Sequence, residues 1–144
     1  MIDREGLLQI LPHRPPMLLV DAIVELDPGE RAVGVRRVTD EDCAGHFPGH
    51  PVMPGVKIAE ALAQVAAVIF LGEREDAKGR PVYLAGLDRF RFRRPVRPGE
   101  QIRLEVTVEH ARHSVIRFVA EATVDGRRVA NGQILAAGAP ATSG

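Results

Sequence analysis

Residues 55–73 constrain the fold more than any other part of the chain. Val56, Ile58, Ala59, Leu62, Ala63, Val65, Ala66, Val68, Ile69 and Phe70 fall on almost every side of a helix, and a helix that is apolar all round has to be buried. Its polar residues, Lys57, Glu60 and Gln64, are spaced by three and four positions, so they share one stripe. The rest of the chain must therefore provide a cover for this helix.

The cover reads as strands. Ile102, Leu104, Val106 and Val108 alternate with polar residues, as do Ile116, Phe118, Ala120, Ala122 and Val124. Phe90 and Phe92 alternate with Arg89, Arg91 and Arg93. Two earlier strands are predicted over 17–26 and 32–38, joined by the turn Asp27-Pro28-Gly29-Glu30. Asp125-Gly126 predicts a hairpin into a last strand over 127–136. Asp3 is placed to cap a short helix through Leu7, Leu8 and Ile10, which Pro12 stops. Residues 40–54 and 72–81 read as connections, and 138–144 as a frayed tail. The expectation is one α+β domain over 1–144, with its core in 1–137: an antiparallel sheet curled around one long helix. Several α+β arrangements share this pattern.

Composition sets limits on function. The 144 residues carry nineteen basic and nineteen acidic side chains, which argues against a global electrostatic attraction to nucleic acid or membrane. Cys43 is the single cysteine, so no intramolecular disulfide can form, and a reducing compartment fits. The N-terminus lacks the cationic region and apolar run of a signal peptide. The longest apolar stretch, interrupted by Glu60 and Gln64, reads as too short to span a bilayer. These features predict a soluble cytoplasmic domain.

Chemistry concentrates in Gly45-His46-Phe47-Pro48-Gly49-His50-Pro51-Val52-Met53-Pro54-Gly55-Val56 and in Glu60-Ala61-Leu62-Ala63-Gln64. Pro48, Pro51 and Pro54 stiffen a loop able to hold a catalytic side chain. Gly55, at the start of the buried helix, can offer its N–H to an anionic oxygen. Glu60, on an otherwise apolar surface, needs either a partner or a proton. Removing a proton α to a thioester needs a base such as His46. The resulting enolate charge needs a fixed donor such as the Gly55 N–H. Expelling a β-hydroxyl needs a proton source or an ordered water, which Glu60 can supply or position. Other readings stay open at this point. His46 alone can be a structural loop residue, Glu60 a buried ion pair with Lys57 or a strand arginine, and Gln64 a hydrogen-bonded helix residue. Cys43, His46 and His50 raise the possibility of zinc, but no fourth ligand is evident and no metal is expected. His110 and His113 flank a hairpin turn and read as surface residues.

The chain resembles the FabZ-type (3R)-hydroxyacyl-acyl-carrier-protein dehydratases. The resemblance is carried by Leu11-Pro12-His13-Arg14, Leu18-Leu19-Val20-Asp21, the Gly45–Gly49 and Pro54–Val56 motifs, Glu60–Gln64, and Arg91-Phe92-Arg93-Arg94-Pro95-Val96. It runs in order over residues 8–137, with a glutamate fourteen residues after the loop histidine as its most specific sign. It implies a hotdog fold and a homodimer (with a trimer of dimers left open), in which the histidine of one subunit faces the glutamate of the other. By motif position it makes His46 the catalytic acid/base, Glu60 its partner and Gly55 the backbone donor to the thioester carbonyl. It also places Phe47, Val56 and Gln64 against the substrate. It implies no cofactor, and an acyl carrier protein as partner in fatty-acid or polyketide-type synthesis. Related isomerising dehydratases have aspartate at the Glu60 position, so glutamate favours simple dehydration. The chain departs from the usual pattern at Pro15, Met17, Asp42-Cys43-Ala44, Lys57 and Phe90. Arg89, Arg91, Arg93, Arg94 and Arg97 crowd nine residues and suggest docking of an acidic carrier and its phosphopantetheine arm, against the plainer reading of a solvated strand face. The competing functions are a hotdog thioesterase, which would not need the proline-stiffened histidine loop, and a catalytically idle carrier-binding subunit, which would not need both His46 and Glu60.

Overall fold

The structure, a computed structural model, describes residues 1–72, 78–112 and 115–138. Helix α1 spans Arg4–Ile10 and begins where the Asp3 carboxylate accepts the Gly6 N–H at 2.9 Å. Strands β1 (Ala22–Asp27) and β2 (Arg31–Arg37) follow, then a 3-10 turn at Glu41–Cys43 within the predicted loop. Helix α2 (Gly55–Gly72) is followed by β3 (Val82–Phe92), β4 (Gln101–Arg112), β5 (Val115–Val124) and β6 (Arg127–Gly138). The six strands form one antiparallel sheet in the order β1-β2-β4-β5-β6-β3. The β5–β6 hairpin turns at Asp125 and Gly126, whose φ values of 49° and 77° are the left-handed pair that such a two-residue turn requires.

Alternation decides which face of the sheet meets the helix. Ile102, Leu104 and Val106 of β4 and Phe118, Ala120 and Ala122 of β5 are buried, and so are Ala61, Leu62, Val65 and Ala66 of α2. Where the helix comes nearest to β2, glycine is obligatory: a Cβ on Gly34 would lie 2.9 Å from Val65 Cγ2. The outer face carries a ladder in which Arg31 and Arg103 each bridge Glu25 and Glu105 at 2.7–3.1 Å. The two sheet edges differ. Ile2 pairs with Ile23 and covers β1, whereas one side of the eleven-residue β3 has no strand beside it among the described residues.

Two expectations need correction. The strand predicted over 17–26 starts only at Ala22. Leu18, Leu19 and Val20 are buried in succession, which a strand with two faces cannot achieve while one face is wet. Their backbone is held instead by a side chain: Gln64 Oε1 accepts the Leu19 N–H at 2.8 Å and Gln64 Nε2 donates to the Met17 carbonyl at 2.8 Å. Secondly, the apolar helix is long enough for a bilayer, at 18 residues, and what keeps it out of that reading is that 67% of it is buried in the fold. Of the readings left open for Glu60, the ion pair with Lys57 or a strand arginine is not formed: among the described residues its partners are Gln64 and His13. The predicted 72–81 connection is only partly described, while His113 and the tail beyond Gly138 lie outside the described residues. His110 is exposed, near the end of β4.

Phe118 has no exposed surface and sits centrally in the sheet's inner face. Phe118→Ala is expected to lower the unfolding free energy by about 3–5 kcal/mol, measured by guanidinium denaturation at fixed protein concentration.

Candidate active site

His46 leads a loop fixed by its own backbone. Its N–H donates to the Cys43 carbonyl at 2.9 Å, its carbonyl accepts the Val52 N–H at 2.7 Å, and Phe47 and His50 exchange bonds at 3.1 and 2.9 Å. The His46–Phe47 peptide is cis, and Gly45 and Gly49 take φ values of 77° and 75° that glycine tolerates. The loop then joins the sheet region where the Met53 N–H donates to the Val96 carbonyl at 2.8 Å. His46 Nδ1 lies 3.0 Å from the Val52 carbonyl. A carbonyl only accepts, so Nδ1 donates here and Nε2 is the ring nitrogen left for a proton transfer. The imidazole stacks on Phe47, centroid to centroid 4.1 Å, and Phe47 itself is 54% exposed.

His46, Met53, Gly55, Ile58, Phe92 and Arg94 border one cavity of about 240 Å³. Gly55 opens α2, where first-turn N–H groups have no acceptor within the helix. A Cβ here would sit 2.9 Å from the Phe92 ring, so glycine lets the ring close over the helix start. Val56 beside it points outward, 74% exposed.

Glu60 stands in a different cavity. Its neighbours there are His13, Ala63, Ala67, Tyr83 and Leu84, around about 30 Å³, room for a single water. Glu60 Oε2 accepts from Gln64 Nε2 at 2.7 Å and lies 3.6 Å from His13 Nε2, which leaves Oε1 available. Gln64, expected against the substrate, is 1% exposed, and both amide hydrogens are engaged by Glu60 and Met17. In this chain it orients Glu60 and pins residues 17–19.

The sequence reading gave His13 no role. It stands where it does because the Arg14 guanidinium grips the Leu8, Leu11 and His13 carbonyls at 2.9, 3.0 and 2.7 Å. The Leu11-Pro12-His13-Arg14 motif was the available signal, but only the fold brings it beside Glu60. His13 Nδ1 is buried without a partner. Burial holds the His13 pKa below its ordinary value, although the Glu60 carboxylate pulls it upward. Burial also pushes the Cys43 thiol up, with Asp42 adding to the effect, so it stays protonated and is no ready ligand or nucleophile. Among the described residues, no three His, Cys, Asp or Glu side chains are gathered for a metal.

An antiparallel sheet curled over one long buried helix defines a hotdog fold. It superposes on the dehydratase heterocomplex ApeI:P from Xenorhabdus doucetiae with a TM-score of 0.80, at 18% identity, over 94% of this chain and 92% of that one. The E. coli PaaI protein shares the fold with a TM-score of 0.62 at 17% identity, over 80% of each chain. The model of the FabA-like domain matches residues 11–133. A protein of Herpetosiphon aurantiacus named 3-hydroxyacyl-(acyl-carrier-protein) dehydratase FabZ is 53% identical over 137 residues, 94% of this chain and 96% of that protein. One of the same name from Bacillus pumilus is 53% identical over 128 residues, 88% of each. The chain belongs to the FabA-like family.

The depressed His13 pKa has a signed consequence. As the pH falls through about 6.5, the unfolded chain binds a proton that the folded one refuses until lower pH, so stability drops over that window. His13→Gln removes this contribution. In urea unfolding at pH 7.5 and 5.5, the variant is expected to lose less stability on acidification than the wild type.

Proposed function

We propose that the protein dehydrates (3R)-3-hydroxyacyl thioesters carried on acyl carrier protein to trans-2-enoyl thioesters. The observation that carries this reading is the contact of His46 Nδ1 with the Val52 carbonyl at 3.0 Å, which leaves Nε2 for the substrate in the same cavity as the α2 N-terminus at Gly55. His46 Nε2 takes the proton from Cα, and the Gly55 N–H stabilises the negative charge that moves onto the thioester oxygen. The Cβ–O bond then breaks, and the hydroxyl leaves as water with the proton that His46 took from Cα, while the Glu60 carboxylate positions the leaving hydroxyl. Phe47 and Val56, both exposed in the isolated chain, line the approach of the acyl arm. The carrier-bound substrate and the lone buried thiol fit a cytoplasmic enzyme.

The two halves of this site occupy separate cavities of one chain, and β3 borders both. Tyr83 and Leu84, near its start, flank Glu60; Phe92, at its end, flanks the His46 cavity. Leu84 and Phe92 pair with Ala136 and Ala130 of β6, which are six residues apart, or roughly 20 Å. β3 is also the uncovered edge, with Tyr83, Leu84, Leu87 and Phe92 exposed by 43–56%, and a long apolar edge invites pairing. Two β3 strands paired antiparallel about a two-fold axis would bring the start of one beside the end of the other. Glu60 of one chain would then meet His46 of its partner, twice per dimer.

His46→Ala is expected to lower kcat by about 10²–10⁴-fold, and Glu60→Gln to impair turnover strongly with the fold intact. Mixed and allowed to exchange subunits, the two inactive variants should regain part of the activity, because some heterodimers carry one complete pair. Mass spectrometry of the carrier-bound product decides the reaction: an enoyl thioester supports dehydration, a free acid a thioesterase. No recovery despite proven exchange would reject the shared site.

The basic residues sort themselves by position. Arg93 and Arg94 border the His46 cavity, and Arg94 also borders two adjoining clefts with Arg97, Arg127 and Arg128. Arg89 and Arg91, also proposed for docking, stand exposed on β3 away from these clefts. Arg127 and Arg128 follow the Asp125-Gly126 turn and escaped the sequence reading because they are distant in the chain. This cluster supports docking of the carrier protein over the surface around the His46 cavity. Arg97→Glu with Arg127→Glu should raise KM for carrier-bound substrate on the order of tenfold, an effect that added salt imitates. A free pantetheine thioester should be nearly unaffected, and equal losses with both substrates would refute docking here.

A further inference from the structure

The exposed histidine loop is anchored at its start by a junction of three elements. Asp42 is 4% exposed, and its carboxylate takes two bonds from Arg36 of β2, at 3.1 and 2.8 Å. Arg36 reaches Asp21 with its third nitrogen at 3.0 Å, and the Asp42 carboxylate also accepts the Thr39 N–H at 3.1 Å. From the opposite side, Lys57 of α2 donates Nζ to the Asp42 main-chain carbonyl at 3.1 Å. The next carbonyl, that of Cys43, accepts the His46 N–H. Residues 44, 45 and 47–51 are all exposed, so neighbouring side chains do little to hold the loop between this junction and Met53. Lys57 also stands two residues after Gly55 and three before Glu60, on the same helix.

We propose that Lys57 and Asp42 are positioning residues for His46, tying the loop that carries the base to the helix that carries the Gly55 donor. This rests on the dehydratase reading above. Among the described residues, Arg36 alone bonds the Asp42 side chain from the sheet, and only Lys57 bonds Asp42 from α2. Without that bond the base and the carbonyl donor shift relative to each other, although neither is altered. The ammonium suits the task because it donates to the carbonyl while its apolar stem runs along the helix. Burial opposes the Asp42 charge, but Arg36 and the Thr39 N–H outweigh it and hold the carboxyl below its ordinary pKa, so the junction stays charged at neutral pH.

The test is Lys57→Met, which keeps the stem and removes the donor, beside Lys57→Arg, which restores one. With a free pantetheine thioester, Lys57→Met should lower kcat about tenfold with KM unchanged within about twofold, and Lys57→Arg should recover most of the loss. Nitrogen-15 NMR of the His46 imidazole reads the loop independently of turnover. The wild type should show the Nδ1–H tautomer, and Lys57→Met a mixture of tautomers, at an unchanged thermal midpoint and dimer content. A kcat within about twofold of the wild type, a loss that arginine does not recover, or an unchanged imidazole spectrum would each overturn the proposal. A wild type that makes no enoyl product would reject the dehydratase reading alone, and the imidazole comparison would still decide the role of Lys57.

Discussion

Burial of α2 on nearly all sides determines most of what the rest of the chain does. Twelve of its eighteen residues are buried, and at about 25 cal/mol per Å² of apolar surface this is a principal driving force for folding. A helix so enclosed has very little room for polar groups. Lys57, Glu60 and Gln64 lie on its single polar stripe, and each meets a defined partner: the Asp42 carbonyl, the Gln64 amide with His13, and the backbone of Met17 and Leu19. A buried backbone group left unpaired costs about 1–3 kcal/mol. An apolar residue in place of Gln64 would therefore strand the groups at Met17 and Leu19. The stripe that bears Glu60 is the same stripe that holds the N-terminal segment in place, so stability and site geometry share their bonds.

What the sequence disclosed follows from the range of the interactions involved. Strands β4 and β5, the Asp125-Gly126 hairpin, the Asp3 cap and the extent of α2 are set by neighbours a few residues away, and periodicity reveals them. Residues 17–19 are held by Gln64, forty-five positions from Leu19, and no local pattern encodes such a bond. Val20 and its apolar neighbours therefore looked like strand. The histidine loop was legible because glycine and proline restrict the backbone locally. The second cavity was not, since His13 and Glu60 meet only after α1 and α2 pack together. Arg127 and Arg128 show the same limit, as they join Arg94 across the sheet.

Charge illustrates how a neutral chain can still present a basic surface. Arg31 and Arg103 are neutralised within the outer ladder by Glu25 and Glu105, and Arg36 by Asp42 and Asp21. With these acidic groups consumed in pairs, Arg94 is left beside the His46 cavity, and Arg97 lines an adjoining cleft with Arg127, Glu100 and Asp125. Formal net charge therefore excluded a global attraction but said nothing about this patch, which would act over about a Debye length, near 8 Å at physiological salt.

Natural sheets usually blunt their edges, because an apolar edge strand recruits other chains. Here one edge is covered by Ile2, whereas β3 keeps Tyr83, Leu84, Leu87 and Phe92 in the open. Under the pairing proposed above, blunting β3 would also separate His46 from Glu60, since each chain holds one half of two sites. Function then forbids the usual remedy, and self-association is the remaining way to cover the strand. Asp42 and Lys57 fit this division of labour, since they brace the histidine loop within a chain and lie apart from the strand that the proposed pairing would join.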